Sequence, residues 1–257
     1  MISSSVFKSA LALVLLVACL GLMGDAEADE LVPLWSHQPS SSQDPTSVAM
    51  SDDGSVIVMT GGNEKVYVYD YSNSTPEWSY DANRDILGSA VSGDGQYLVI
   101  GLGWTTGDTD FGRVILFDTS NSTPLWSYTT AGYVFKVDIS YNGSYIVSGG
   151  KEGKVRLHHK DSNTPLETKT AADINDVAIS DNGTYYAAGS DDDKVRVYVR
   201  GSSSSWSQTL GGDVTRIAMT PDGEYLAVSV ADGKVHLYET NSLSEKWNFD
   251  TGEEAWA

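Results

Sequence analysis

The phrase TPDGEYLAV at 220–228 occurs in four further versions: MSDDGSVIV (50–58), VSGDGQYLV (91–99), ISYNGSYIV (139–147) and ISDNGTYYA (179–187). Its glycines, Gly54, Gly95, Gly143, Gly183 and Gly223, stand 41, 48, 40 and 40 residues apart. A period near forty constrains the fold more than any local motif. Each unit must be one supersecondary element that buries its apolar surface against copies of itself. Asp-Gly and Asn-Gly suit tight hairpin turns, because glycine accepts a positive φ without a Cβ clash. Each phrase therefore predicts strand, two-residue turn, strand.

The rest of the unit keeps to the same plan. Strand a precedes the turn: SVAMS (47–51), GSAVS (88–92), KVDIS (136–140), DVAIS (176–180) and RIAMT (216–220). Strand b follows it, with consecutive apolar residues such as VIVM (56–59) and YLVI (97–100), as expected of a strand buried on both faces. Strand c comes next: KVYVYD (65–70), RVILFD (113–118), KVRLHH (154–159), KVRVYV (194–199) and KVHLYE (234–239). A polar turn then leads to strand d, which carries tryptophan in EWSY (77–80), LWSY (125–128), SWSQ (205–208) and KWNF (246–249). Four short strands per forty residues describe an all-β chain of four-stranded antiparallel propeller blades. The five units run at about 46–80, 86–128, 134–168, 174–209 and 214–249. VPLWSH (32–37) matches TPLWSY (123–128) and predicts an extra outer strand without its own a, b and c. Ala257 falls mid-way through a sixth strand a. The sequence is thus expected to be part of a longer product of seven or eight blades, with a five-bladed ring as the alternative.

SDDDKVRVYV (190–199), with Tyr69-Asp70 and Phe117-Asp118 where a Trp-Asp pair is expected, resembles WD-repeat proteins. VYVYDYSNSTPEWSY (66–80) and VILFDTSNSTPLWSY (114–128) are also similar to the quinoprotein-type propeller repeat, in which a tryptophan closes each blade. The resemblance covers about 33–257. It implies a propeller that serves as a binding scaffold, or alternatively a fragment of a quinone-dependent dehydrogenase or a carbohydrate-active enzyme.

Residues 1–28 have one basic residue, Lys8, an apolar run from Ala10 to about Met23, and Ala26-Glu27-Ala28 ahead of Asp29. This pattern predicts a secretory signal cut after Ala28, leaving 29–257 as the propeller domain. Leu16-Val17-Ala18-Cys19 resembles a lipoprotein processing box, so a lipid anchor on Cys19 is one alternative and an uncleaved membrane anchor another. All three readings place the chain outside the cytoplasm. The mature chain is expected to hold no transmembrane segment. Cys19 is the one cysteine, so cleavage leaves a mature chain with no disulfide and no thiol chemistry. The formal net charge is −19, and loss of Lys8, Asp25 and Glu27 with the signal changes it only to −18. Such a surface repels nucleic acid at long range and suits basic partners or divalent cations.

Candidate functional residues lie where one unit departs from the plan. The 48-residue interval holds an insertion, GLGWTTGDTDFG (101–112), read as a loop between strands b and c. Trp104 and Phe111 bracket Asp108 and Asp110, an aromatic platform with a carboxylate pair suited to sugar or Ca²⁺. The insertion should share a rim with the d–a connections, which carry Arg84, Asp85, Tyr133, Asp173 and Asp213. That rim is the expected surface for a protein or carbohydrate partner. Asp138 takes the alanine position of the innermost strand and is a candidate for binding at the axis. His158 and His159 point to opposite faces of a strand, and His158 replaces the aromatic residue of the other units, a packing role. No cluster has zinc spacing, and no catalytic residues or required cofactor are expected, Ca²⁺ being optional. Asn73 and Asn121 begin glycosylation sequons at exposed c–d turns.

Overall fold

The computed structural model describes residues 33–37 and 44–252. The expected signal at 1–28 and the sixth strand a begun at Trp256 lie outside these residues. Two units divide the chain, residues 1–36 and 37–257, and every sheet belongs to the second. No helix among the described residues is long and apolar enough to cross a membrane.

Among the described residues, five four-stranded antiparallel sheets follow one another in sequence. Blade A contains β1 (Pro45–Met50), β2 (Val56–Gly61), β3 (Lys65–Asp70) and β4 (Trp78–Asp81). Blade B contains β5 (Asp85–Val91), β6 (Tyr97–Thr106), β7 (Thr109–Asp118) and β8 (Pro124–Thr130). Blade C contains β9 (Val134–Ile139), β10 (Tyr145–Gly150), β11 (Lys154–His159) and β12 (Glu167–Thr170). Blade D contains β13 (Ile174–Ile179), β14 (Tyr185–Ser190), β15 (Lys194–Val199) and β16 (Ser205–Thr209). Blade E contains β17 (Val214–Met219), β18 (Tyr225–Val230), β19 (Lys234–Glu239) and β20 (Ser244–Asp250). In each blade the strands pair in chain order, a to d. The inner strands pack in sequence, β1 on β5, β5 on β9, β9 on β13 and β13 on β17.

Burial explains the consecutive apolar residues. Side chains alternate between the two faces of a strand, and each face of an internal blade meets a neighbour. Leu98, Ile100, Leu102, Ile115 and Phe117 of blade B pack on Val58, Val66 and Val68 of blade A. Their sequence neighbours Val99, Val114 and Leu116 pack on Val134, Val137, Ile139 and Ile146 of blade C. Two further clusters join C to D and D to E. Each buried valine, leucine or isoleucine contributes about 1.5–3 kcal/mol, so the core is a series of junctions rather than one centre.

The repeated phrase closes the a–b hairpin with four residues, not the two expected. Ser51 N–H donates to the carbonyl of Val56 at 3.0 Å, leaving 52–55 as the loop. The Ser51 hydroxyl accepts from Val56 N at 3.0 Å and donates to Asp53 Oδ1 at 2.7 Å. The side chain thus replaces a carbonyl that a tighter turn would have supplied. Ser92, Ser140, Ser180 and Thr220 do the same for Tyr97, Tyr145, Tyr185 and Tyr225, each at 3.0 Å. The five glycines take φ between +65° and +74°. Neighbouring turns are also joined by their backbones: Asp52 N to Gly93 O, Asp94 N to Tyr141 O, Tyr141 N to Asp181 O and Asp181 N to Pro221 O, at 2.9–3.1 Å. The c–d turns lie on this same edge, because Tyr71, Thr119, Lys160, Arg200 and Thr240 each donate a backbone N–H to an a–b loop carbonyl. This edge is called the turn rim below. Asn73 and Asn121 are exposed on it, each side chain accepting from the N–H two residues on.

The extra outer strand expected at 32–37 is not formed, since residues 33–37 lie outside any strand. His37 nevertheless packs on Tyr69 of strand c at 5.4 Å and on Tyr67 at 6.0 Å. Its Nδ1 lies 3.0 Å from Ser74 O. Tyr80 on Phe117 and Tyr128 on His158 make the same kind of contact between other blades.

Candidate functional site

The insertion at 101–112 is not a loop. It lengthens β6 and β7 to ten residues each and closes on a short turn at Gly107-Asp108, with Gly107 at φ +60°. The pairing register runs Thr106 to Thr109, Trp104 to Phe111 and Leu102 to Arg113. Residues directly opposite share a face, so one face of the extension carries Trp104, Phe111 and Arg113. The other carries Gly103, Thr105 and Asp110.

The two faces make two separate clusters. On the first, Trp104 stacks on Phe111 with centroids 5.7 Å apart and planes inclined by 19°. The guanidinium of Arg113 lies 5.4 Å from the centre of the Trp104 ring. Arg84, from the connection between blades A and B, lies at the same distance from that ring. On the second face, Thr105 donates to Asp110 at 2.8 Å and its hydroxyl also meets the Tyr133 hydroxyl. Lys151 pairs with Asp110 at 2.7 Å and lies 5.3 Å from the Tyr133 ring centre. The Lys151 ammonium, hydrogen-bonded to Asp110, holds that carboxyl below its ordinary range. Tyr133 comes from the connection between blades B and C, so the extension is braced by the d–a connections on both sides. This edge is called the hairpin rim below.

The expected site residues therefore divide. Arg84, Trp104 and Phe111 come together, as do Tyr133 and Asp110, but on opposite faces of one hairpin. Asp108 is exposed at the tip. The carboxylate pair of Asp108 and Asp110 is not assembled for a cation, because Asp110 is committed to Lys151 and Thr105. Among the described residues no group of three or more His, Cys, Asp or Glu is placed to hold a metal ion. The rings of Trp104 are engaged by Phe111 and two guanidiniums, which is not the open aromatic face that a sugar needs.

Three segments of the chain, residues 122–159, 163–198 and 204–239, match the WD domain, G-beta repeat. The chain carries WD40 repeats. Each match spans strand d of one blade and strands a, b and c of the next, so the sequence unit is offset from the sheet. Nothing singles out the quinoprotein-type repeat within this resemblance. No match is found among curated proteins. WD40 domains commonly bind proteins, and proteins built from them are usually non-enzymatic scaffolds.

Asp138 lies apart from both clusters, on the inner strand of a WD40 blade. Its Oδ1 accepts from Ile139 N at 2.8 Å and its Oδ2 from Ile179 N of the next blade at 2.9 Å. Asp176 repeats the arrangement one blade on, with Val177 N at 3.1 Å and Ile217 N at 2.9 Å. The side chains bridge blades, and no oxygen of Asp138 is left without a backbone donor. Asp138 is half-buried on the inner strand. That burial, reinforced by Asp176 and Asp181, pushes its pKa up to about 7 despite the two N–H bonds.

His158 is fully buried between the Trp126 ring, stacked at 5.3 Å, and the edge of Tyr128 at 5.1 Å. Burial lowers its pKa to about 4, so it is a neutral packing ring at physiological pH. Sequence reasoning did not single out Arg113, which reads as the first residue of an ordinary strand c. It also passed over Glu167, which stands where blades A and B have Trp78 and Trp126. Those indoles donate across the junction to Thr119 O at 2.6 Å and Lys160 O at 2.7 Å. Glu167 instead accepts, from Gly201 N at 2.7 Å and the Tyr186 hydroxyl at 3.0 Å.

Proposed function

We propose that this chain is a secreted or cell-surface, non-enzymatic scaffold that takes a protein partner on its hairpin rim. The observation that carries the reading is the β6–β7 extension. Among the described residues it is the one element the blade plan does not require, and it is braced by Arg84 on one side and by Tyr133 and Lys151 on the other. Aromatic and arginine side chains held in fixed positions are the anchors that protein interfaces favour. The absence of an open tryptophan face favours protein over carbohydrate. The compartment rests on the signal pattern at 1–28, which gives a mature N-terminus at Asp29, measurable by intact mass.

The test is a variant whose hairpin is cut back to the length seen in the other blades, with Leu102 and Arg113 joined by a short turn. It should keep its β-sheet circular dichroism, because, of the side chains removed, only the partly buried Trp104 packs against a core cluster. It should also lose the proteins that the full chain recovers from its own extracellular medium. A variant that folds and keeps every partner would place the binding surface elsewhere.

A further inference from the structure

We propose that the sector of the hairpin rim between blades A and B takes an acidic peptide segment of the protein partner, gripped by Arg84 and Arg113. The proposal rests on the reading of this rim as the partner surface and adds the chemistry of the occupant.

The argument starts from which cations have partners. Arg156 and Arg196 each sit on a carboxylate four residues away, Glu152 at 2.7 Å and Asp192 at 2.5 Å. Lys151, Lys160, Lys169 and Lys234 also have carboxylates within 4.0 Å. In a chain of net charge −19, such pairing is what excess carboxylate makes easy. Lys136, Lys154, Arg200 and Arg216 also lack a carboxylate partner among the described residues, but Arg84 and Arg113 are the two such cations that share one aromatic ring. Among the described residues neither has a carboxylate within 4.0 Å. Nη1 of Arg84 donates only to the carbonyl of Asn83, at 2.6 Å, and Nε of Arg113 is buried without a hydrogen-bond partner.

Each of these two unneutralised guanidiniums lies 5.4 Å from the centre of the same Trp104 ring, so they are separated by no more than twice that distance. Like charges gathered at one ring repel, and an anion set between them removes that cost. The guanidinium fork matches a carboxylate in two parallel hydrogen bonds, and stacking on an aromatic ring fixes the fork before the ligand arrives. Cation–π contact alone is worth only about 0.5–1 kcal/mol at an exposed site. It orients the arginines but does not replace a counter-ion.

The remaining charge on this rim orders the occupant. The rim around blade D carries Asp173, Asp191, Asp193 and Asp213, and an acidic segment is repelled there more than at the A–B sector, where Asp81 is paired with Lys65 and Asp85 and Asp108 are the other exposed carboxylates. Screening confines these fields to about 8 Å at physiological salt, so a short segment senses the arginine sector locally. A long polyanion such as DNA would instead overlap the acidic sectors as well.

The probe is a fluorescein-labelled peptide of six Glu-Gly repeats, followed by fluorescence anisotropy, with the matching Lys-Gly peptide and a labelled 12-base-pair DNA as comparisons. The full chain should bind the glutamate peptide, more weakly as NaCl rises. Arg84→Gln alone should weaken binding several-fold, and Arg84→Gln with Arg113→Gln at least tenfold. Arg200→Gln, on the turn rim, should have no effect. Since Arg84 is exposed, its single variant stands as the test if the double variant unfolds. Equal binding by the arginine variants, preference for the lysine peptide, or DNA bound with the same arginine dependence would overturn the proposal. If shortening the hairpin leaves the natural partners bound, the rim reading itself fails. If shortening releases them and the glutamine variants do not, only this inference fails.

Discussion

The turn rim and the hairpin rim are built from the same repeat and are used differently. On the turn rim five loops have nearly one sequence and one geometry, each held by its own hydroxyl, with neighbours joined by backbone hydrogen bonds. On the hairpin rim the connections differ from blade to blade in length, charge and aromatic content. Regularity goes with construction, because every copy must satisfy the same buried N–H groups and meet the same neighbour. Irregularity collects where no neighbour imposes a shape, and there the chain places Arg84, Trp104, Arg113 and Tyr133.

The largest expected effect breaks the regular rim. Gly143 sits at φ +69°, and a Cβ there would collide with the ring of Tyr97 in the preceding blade. Gly143→Ala adds a left-handed penalty of about 1–2 kcal/mol to overpacking of about 1–3 kcal/mol. A loss of about 2–5 kcal/mol in urea unfolding is expected. A loss under 1 kcal/mol would show that the turns are not fixed against one another.

A smaller effect separates two titrating groups at inter-blade contacts, fully buried His158 and half-buried Asp138. His158 has a folded pKa lowered to about 4 from the ordinary 6.5, so its contribution is present above pH 6.5 and is lost as pH falls towards 4. Asp138 has a folded pKa raised to about 7 from 3.8, so its contribution is present below pH 4 and is lost as pH rises through 7. The two slopes oppose each other in one window. Relative to the parent chain, His158→Phe should gain stability as pH drops from 7 to 4, and Asp138→Asn should lose it. Each difference should amount to at least about 2 °C in melting temperature. Variants with profiles parallel to the parent would remove these side chains from the pH response.

The smallest effect is expected at the tip of the irregular rim. Gly107 also has a positive φ, +60°, but a Cβ there meets nothing within 4 Å. Gly107→Ala should cost only the backbone penalty, about 1–2 kcal/mol. A cost equal to that at Gly143 would mean that the extension is packed more firmly than its exposure indicates.

These contrasts also show what could be read in advance. The period, the strand order and the position of every inner strand follow from apolar alternation and repeated turn residues, because burial on both faces leaves few alternatives. The loop size did not, since Ser51 and its equivalents act through a side chain that the Asp-Gly signal does not reveal. The two faces of the hairpin were closer to hand. Placing the turn at Gly107-Asp108 and counting outward pairs Trp104 with Phe111 and Leu102 with Arg113, which puts Asp110 on the far side. The partners of Asp138 were out of reach, because Ile179 lies 41 residues away and only the packing of β9 on β13 brings its N–H close.

Glu167 has a consequence for how such a chain changes over evolutionary time. At the A–B and B–C junctions a tryptophan presents an N–H, and the next blade answers with a carbonyl. At the C–D junction the outer strand presents a carboxylate instead. Burial opposes its ionisation, but the bonds from Gly201, Lys169 and Tyr186 outweigh burial and keep it charged. The answering peptide, between Arg200 and Gly201, shows its N–H, with Gly201 at φ +72°. A recombination event that copied blade C in front of blade B would set a carboxylate against the carbonyl of Thr119, acceptor facing acceptor. Moving blade D behind blade B would leave the Trp126 indole facing an N–H, donor facing donor. The junction is keyed, so these repeats are ordered parts, and duplication or shuffling across this joint must change both sides at once.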